Sequence, residues 1–214
     1  MAVYPATFDV DRPSSYDRTQ VVIRILIIVV LSILAGALGW VHGVLYLAVP
    51  VLAAILISQK GAQVYLAESG DTMQRWLAYL FAFYAYLGLL TDTLPGDDPQ
   101  RAIRFHVATA GEPTAGNVLL RIILAIPHAI VLGLLGIVAA VLIVIAAVMV
   151  LVNESYPEGI FDFLRGYLRW QVRMYAYLAG LVQEYPPFAL DTGSEAAPSS
   201  APQAGDAPPP GSTV

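Results

Sequence analysis

Two long apolar stretches, residues 25–57 and 122–152, constrain the fold more than any other feature of this sequence. A helix needs roughly 20 residues, at about 1.5 Å each, to cross a hydrocarbon core of about 30 Å. At 33 and 31 residues, each stretch is too long for one crossing and slightly short for two. We therefore expect an all-α integral membrane protein in which each stretch folds into a tight helical hairpin with short or tilted helices.

The composition makes an ordinary soluble domain a poor alternative. Hydrophobic residues make up 57% of the chain and charged residues only 13%, and the mean hydropathy is +0.67, whereas soluble domains carry roughly 25% charged residues. The absence of cysteine excludes disulfides and thiolate metal sites. The first twenty residues lack the pattern of a cleaved signal peptide, so we expect an uncleaved anchor.

The second half of the sequence repeats the first. At a shift of 97 residues, Arg24 falls on Arg121, and two glycines and the phenylalanines Phe8 and Phe105 also match. At a shift of 91 residues, Tyr84-Ala85-Tyr86-Leu87 falls on Tyr175-Ala176-Tyr177-Leu178. We expect two tandem repeats over residues 1–98 and 99–190, followed by a disordered tail over 191–214 that is rich in Pro, Ala, Ser and Gly.

Glycines near the middle of each stretch are the natural turns of the hairpins. Gly36 and Gly39, with Trp40, His42 and Gly43 beside them, serve the first hairpin, and Gly133 and Gly136 serve the second. Close contact between helices is the other use of such glycines. We expect spans over residues 21–38, 44–58, 118–135 and 137–152.

The basic residues support four crossings. All eleven flank the apolar stretches, and they are Arg12, Arg18, Arg24, Lys60, Arg75, Arg101, Arg104, Arg121, Arg165, Arg169 and Arg173. Four crossings put all of them on one side of the membrane, which the positive-inside rule makes cytoplasmic. A six-crossing alternative would move some of them outside. We expect a multi-pass protein of the bacterial inner (plasma) membrane with both termini in the cytoplasm.

A third apolar segment follows each hairpin and is a poor membrane span. On a helix over residues 160–184, Arg165, Arg169, Arg173 and Tyr177 form one stripe, and aromatic and apolar side chains form another. This layout predicts an amphipathic helix in the membrane interface, with arginines toward lipid headgroups, and a matching helix over residues 72–91. The sequence leaves open the alternative that these segments insert across the membrane instead of lying on it.

Candidate contacts for an anionic headgroup or a partner are Arg165, Arg169, Arg173 and Arg75. The alternative is that the arginines pair with Glu158, Asp162 or Glu184 and with water. Brief alternation over residues 3–10 and 103–107 also predicts two short strands that pair the repeats at the cytoplasmic surface.

Several motifs of the second repeat resemble those of a known family. They are Leu124-Ala125-Ile126-Pro127-His128, Tyr156-Pro157-Glu158-Gly159-Ile160-Phe161-Asp162-Phe163, Arg169-Trp170 with Arg173, and Tyr185-Pro186-Pro187-Phe188. Together they resemble the bacterial membrane proteins grouped as domain of unknown function 4389, strongly in the second repeat and weakly in the first. Members carry a Leu-x-Thr-Asp-x-Tyr-Pro-Pro-Phe ending, whereas this chain has Thr91 and Asp92 in the first repeat and Val182-Gln183-Glu184 in the second. The resemblance implies a class of protein and no activity.

His128 and Arg121 form a candidate polar site within the membrane. They are seven positions apart, so they share one face of a continuous helix. An ionisable group inside a span is a functional hypothesis by default, but a neutral, hydrogen-bonded histidine is the alternative. Arg24 and Arg121 lie at helix starts, where snorkelling to the interface is the ordinary explanation.

The sequence leaves three classes of function open. A non-enzymatic structural or accessory membrane protein would bind anionic lipid, a membrane protein partner or a second copy of the chain. A small transporter or channel at the repeat interface is the second class, although few polar residues lie in the spans. A lipid-modifying enzyme is the third, but no catalytic motif is present. We expect no cofactor, no metal and no nucleic-acid partner.

Overall fold

A computed structural model describes residues 4–35 and 38–193, and this part of the chain is mostly helical, as expected. In chain order the elements are β1 (Ala6–Asp9), α1 (Arg18–Ala35), α2 (Leu38–Lys60), α3 (Ala62–Val64), α4 (Gly70–Leu87), β2 (Arg104–Val107), α5 (Ala115–Leu124), α6 (Ile126–Asn153) and α7 (Glu158–Leu178). A π-helical turn, Tyr65–Ser69, joins α3 to α4, and a 3₁₀ turn, Pro99–Arg101, precedes β2.

Two helices of the described residues are long and apolar enough to cross a membrane. They are Gly43–Lys60 within α2 and the whole of α6, with mean hydropathies of 1.7 and 3.3. Only five of the 28 residues of α6 are buried inside the protein, and Ile130, Leu134 and Ile137 on its outer face are at least 60% exposed. Because an apolar surface of this extent is unfavourable in water, it is suited to a lipid environment.

The hairpin expected in the second apolar stretch is wrong. Helix α6 runs without interruption through Gly133 and Gly136, so the separate spans over 118–135 and 137–152 do not form. A glycine inside a helix costs only about 1 kcal/mol, whereas unpaired backbone groups in an apolar environment cost more. Gly136 instead permits close helix contact, because an added Cβ would lie 2.8 Å from the hydroxyl oxygen of Tyr167.

The helical conformation is interrupted at Ala125, between α5 and α6, and Pro127 occupies the first turn of α6. Proline has no N–H to donate to the preceding turn, so carbonyl groups at the end of α5 lose helical partners. Two tyrosines donate to these carbonyls: Tyr46 to Ile122 at 3.2 Å and Tyr185 to Leu124 at 2.9 Å. Arg121 and His128 therefore lie on two different helices, contrary to the expectation of one continuous helical face.

Helix α7 is the central helix of the fold, which corrects the expected interfacial helix over residues 160–184. Every residue from Leu168 to Leu178 is buried, including Arg169, Gln171 and Arg173. The polar stripe instead bonds within the protein, because its partners come from β1 and from the segment after α7. Sequence periodicity could not identify these partners, since they lie far along the chain.

Helices α6 and α7 run antiparallel. Trp170 contacts His128, while Tyr167, one turn earlier in α7, contacts Leu132 and Gly136 further along α6. Helix α4 is amphipathic: it buries Leu77 and Phe81 in the core, while Trp76 on its other face is 71% exposed.

The two expected short strands are confirmed, and they pair antiparallel. The register places Phe8 opposite Phe105, the two phenylalanines that also match at the shift of 97 residues. Both side chains are buried, and the Phe8 ring contacts Phe81 of α4 in an edge arrangement, with ring centroids 6.3 Å apart. The sheet thus joins the two halves of the chain at the core.

Two expectations concern residues that are only partly described. The expected turn of the first hairpin includes Gly36, which lies outside the described residues, whereas Gly39 already belongs to α2. Residues 194–214 of the expected disordered tail also lie outside them.

Candidate functional site

Arg24 of α1 is held in the interior near the end of α4. It is 2% exposed and donates to the backbone oxygen of Thr91 at 2.7 Å and to the carboxylate of Asp92 at 2.6 Å. Its guanidinium lies over the ring of Tyr86, 4.3 Å from the centroid. Arg24 therefore does not snorkel, and its partners hold the loop after α4 against α1.

Arg121 of α5 makes the corresponding contacts near the end of α7. It is 1% exposed and donates to the backbone oxygen of Val182 at 2.7 Å and to the side-chain oxygen of Gln183 at 3.2 Å. Its guanidinium lies over the ring of Tyr177, 4.4 Å from the centroid. The expected snorkelling is again wrong, and Gln183 occupies the place that Asp92 holds beside Arg24.

The ends of α4 and α7 also have the same backbone conformation. Leu89 and Gly180, one residue past the helical caps, have positive φ angles of 63° and 71°. The next residues, Leu90 and Leu181, donate their N–H groups back to Ala85 and Ala176 at 2.9 and 3.1 Å. Such a left-handed cap satisfies the last helical carbonyls and turns the chain sharply. It brings Thr91 and Val182 within reach of the two buried arginines.

Two buried tyrosines, 91 residues apart, connect the halves reciprocally. Tyr65 donates to the backbone oxygen of Ala179 at 2.6 Å, and Tyr156 donates to that of Gly88 at 3.0 Å. Burial raises the pKa of Tyr65 to about 12 and raises that of Tyr156 as well. Both hydroxyls therefore remain protonated donors at neutral pH.

The arginines predicted to bind a headgroup are occupied by partners within the protein. Arg169 donates to the backbone oxygens of Phe8 at 2.9 Å and Asp191 at 2.6 Å. Its guanidinium also lies 3.4 Å from the carboxylate of Asp9. Arg165 bonds to Asp162, which the sequence offered as one alternative, and Arg173 bonds to the Asp191 carboxylate.

Acidic residues balance the charge of this cluster. Asp9 is 2% exposed and also bonds to Arg104 of β2 at 2.8 Å, while the exposed Asp11 pairs with the same arginine. Hydrogen bonds to Asp11 and Asp9 raise the pKa of Arg104. The cluster therefore offers little excess positive charge to an anionic headgroup.

Arg75, the fourth predicted contact, lies apart from the cluster. It is exposed on α4 and lines a polar cleft of about 450 Å³ together with Asp71, Asp97 and Asp98. The three acidic side chains make this cleft unfavourable for an anion.

His128 lies in an aromatic cluster with Trp170, Tyr185 and Phe188. It is 0% exposed, and its Nδ1 accepts a hydrogen bond from the indole N–H of Trp170 at 3.0 Å. Phe188 stacks on the imidazole with ring centroids 3.8 Å apart and an interplanar angle of 14°. Since Nδ1 is an acceptor, the neutral ring carries its hydrogen on Nε2.

A largely apolar cavity of about 850 Å³ lies between α1, α2, α4, α6 and α7. Gln171 of α7 is the only amide among the described residues that line it, and tyrosines supply the hydroxyl groups. The lining has no Asp, Glu, Lys or Arg over the same described residues. On α6 the cavity includes the exposed residues Ile137 and Val141, so it opens on the apolar outer face of that helix.

Residues 116–189 match the family model described as Domain of unknown function (DUF4389). The chain therefore contains a DUF4389 domain over this segment. No curated protein and no solved structure matches the chain.

The DUF4389 segment contains the motifs that carried the resemblance, and the fold brings several of them together. Pro127-His128, Arg169-Trp170 and Tyr185-Pro186-Pro187-Phe188 meet in the aromatic cluster around His128. The departure from the family ending also has a structural counterpart, since Asp92 and Gln183 bind equivalent arginines.

Sequence reasoning did not identify Asp9, Asp191 or Gln171 as residues of interest. In the sequence, Gln171 only interrupts the apolar segment over residues 161–182, and nothing local marks Asp9 or Asp191 as arginine partners. Over the described residues, no group of three or more His, Cys, Asp or Glu side chains could hold a metal ion.

Proposed function

We propose that this chain is a non-enzymatic integral membrane protein with a structural or accessory role. The observation that carries this proposal is the distribution of polarity. The outer faces of α2 and α6 are apolar, while buried arginines and carboxylates form contacts inside the protein. A protein with this arrangement is stable where lipid chains cover its outer faces.

The proposed fold unit is a pair of tandem repeats related by an approximate two-fold axis. Three observations support it: the equivalent settings of Arg24 and Arg121, the pairing of Phe8 with Phe105, and the exchange of tyrosine hydrogen bonds between the halves. The residues of these three contacts match at a shift of 97 or 91 residues.

We place both termini on the same side of the membrane. Arg169 supports this by bonding to Phe8 near the start of the chain and to Asp191 near the end of its described part. The positive-inside rule makes this side cytoplasmic, since the arginine cluster lies there. The proposed location is the inner (plasma) membrane of a bacterium, with a multi-pass topology.

The proposed partners are membrane lipids, with a membrane protein or a second copy of the chain as the alternative. The apolar faces favour contacts with lipid chains. The paired arginines disfavour the anionic headgroup contact that their sequence pattern suggested, because acidic side chains already neutralise them.

A small transporter is the second candidate. The cavity supports it, because its lining includes both α4 of the first half and α7 of the second. Its apolar lining disfavours passage of ions. A substrate-dependent flux into liposomes would favour this candidate over an accessory role.

Membrane fractionation and cysteine labelling test the proposal together. The native chain has no cysteine, so Ser14→Cys and Gly193→Cys each introduce a single reporter thiol. We expect the protein to resist extraction from bacterial membranes by high salt and alkaline carbonate and to dissolve only in detergent. Both thiols should react with a membrane-impermeant maleimide only after the cells are permeabilised.

The cysteine-free protein is the control for background labelling. Release by carbonate would overturn the membrane assignment, and labelling of the two thiols from opposite sides would overturn the shared location of the termini.

A further inference from the structure

We propose that the central cavity binds the apolar chain of a neutral membrane lipid that carries a hydroxyl group, and that this hydroxyl donates to Gln171. The inference rests on the proposed membrane location and adds a ligand class to it. Three observations carry it: the cavity's lining, its opening, and a buried acceptor.

The lining selects an uncharged, apolar ligand. The cavity of about 850 Å³ lies within the usual range for small-molecule sites. Leu132, Ala139 and Met174 are among the apolar residues that line it, and charged side chains are absent from its described lining. A charged headgroup would lose its hydration here without a compensating partner.

The opening selects a ligand that arrives from the lipid phase. Ile137 and Val141 line the cavity and are 66% and 56% exposed on the outer face of α6. Gly133 also lines it and is exposed, and a Cβ added there would meet no atom within 4 Å. A lipid chain could therefore enter beside α6 without leaving an apolar environment.

Gln171 selects the polar group of the ligand. The residue is 3% exposed, and its side-chain oxygen has no hydrogen-bond partner among the described residues. A buried acceptor without a donor is unfavourable, and a hydroxyl of the ligand would satisfy it. A monoacylglycerol combines one apolar chain with such hydroxyl donors and no charge.

The inference is tested by titrating the detergent-purified protein with 1-monooleoylglycerol and measuring binding by native mass spectrometry. The matched ligand is its dimethyl ether, which keeps the chain and the oxygens but has no donor. We expect one bound monooleoylglycerol and about fivefold weaker binding of the ether, the effect of one hydrogen bond. Gln171→Leu should remove this difference between the two ligands.

Gly133→Leu tests the cavity itself by placing a side chain in it. We expect this variant to bind both ligands at least about tenfold more weakly, since it occupies the volume that the chain requires. Gly116→Leu is the matched control, because Gly116 is also a helical glycine with open space around its Cβ position but does not line the cavity. Thermal unfolding of each variant verifies that it is folded.

The outcomes distinguish a failure of the ligand proposal from a failure of the proposed membrane location. Equal binding of the two ligands by the wild-type protein would overturn the role of Gln171, even if its variant failed to fold. Unchanged binding by Gly133→Leu, or preferential binding of phosphatidylglycerol, would overturn the cavity proposal while leaving the membrane location intact. Release of the protein from membranes by carbonate would instead contradict the proposed function.

Discussion

Arg24 and Arg121 have the same geometry but different charge balance. Arg24 pairs with the carboxylate of Asp92, whereas Arg121 meets the neutral amide of Gln183 and backbone oxygens. A buried guanidinium with a carboxylate partner is stabilised more strongly than one with neutral acceptors. The two positions therefore form a natural pair for testing the contribution of that charge.

Removal of the charge at Asp92 and addition of a charge at Gln183 should change the stability of the protein in opposite directions. We expect Asp92→Asn to lower the free energy of unfolding by about 1–3 kcal/mol, because it weakens a charge-assisted hydrogen bond to a buried arginine. Gln183→Glu should raise it by roughly 1 kcal/mol, because it supplies the carboxylate that Arg121 lacks. Titration of the detergent-solubilised variants with SDS measures both changes, and a loss of stability in both would contradict the argument.

At the scale of elements, β1 fixes the position of α7. Asp9 at the end of β1 lies within 4 Å of Arg165 and Arg169 of α7 and also bonds to Arg104 of β2. The sequence predicted both short strands and the helix, but it assigned the arginine face of the helix to lipid headgroups. Helical periodicity defines a face without identifying what covers that face, and here the covering residues come from β1 and from the segment after α7.

Asp9 and Asp11 should differ sharply when each is changed to asparagine, although both pair with Arg104. Asp9→Asn removes the buried carboxylate that Arg104, Arg165 and Arg169 share, so we expect a loss of about 3 kcal/mol in unfolding free energy. Asp11 has a side chain that is 80% exposed, so Asp11→Asn should change stability by less than about 1 kcal/mol. Equal effects, measured by the same SDS titration, would show that the buried cluster does not stabilise the α7 contact.

At the scale of the whole molecule, the halves complete each other's hydrogen bonds. Tyr65 of the first half donates a hydrogen bond to the backbone oxygen of Ala179 in the second, and Tyr156 of the second donates to that of Gly88 in the first. The two-stranded sheet contains one strand from each half. Neither half by itself can satisfy these groups.

Separation of the chain in the loop between α4 and β2 tests this dependence. We expect polypeptides 1–96 and 97–214 to copurify from membranes when they are expressed together. Each expressed alone should fail to form a folded monomer, because its single strand and buried polar groups would lack partners. Affinity purification through a tag on one polypeptide measures the association, with the intact chain as the control. A folded monomeric half would refute the expectation.

The sequence by itself determined the apolar character of the long helices, the two short strands and the matched arginines, because these depend on composition, local periodicity and internal similarity. It could not locate the interruption of the second apolar stretch, since a glycine pair and a proline can both interrupt a helix. The tyrosines that donate to the carbonyls near Pro127, Tyr46 and Tyr185, are distant in the chain. The sequence could not predict that Arg24, Arg121 and Arg169 are buried, because their burial depends on acceptors that are distant in the chain. Tertiary structure also decided the cavity and the burial of Gln171, since both arise only where several helices meet and exclude water.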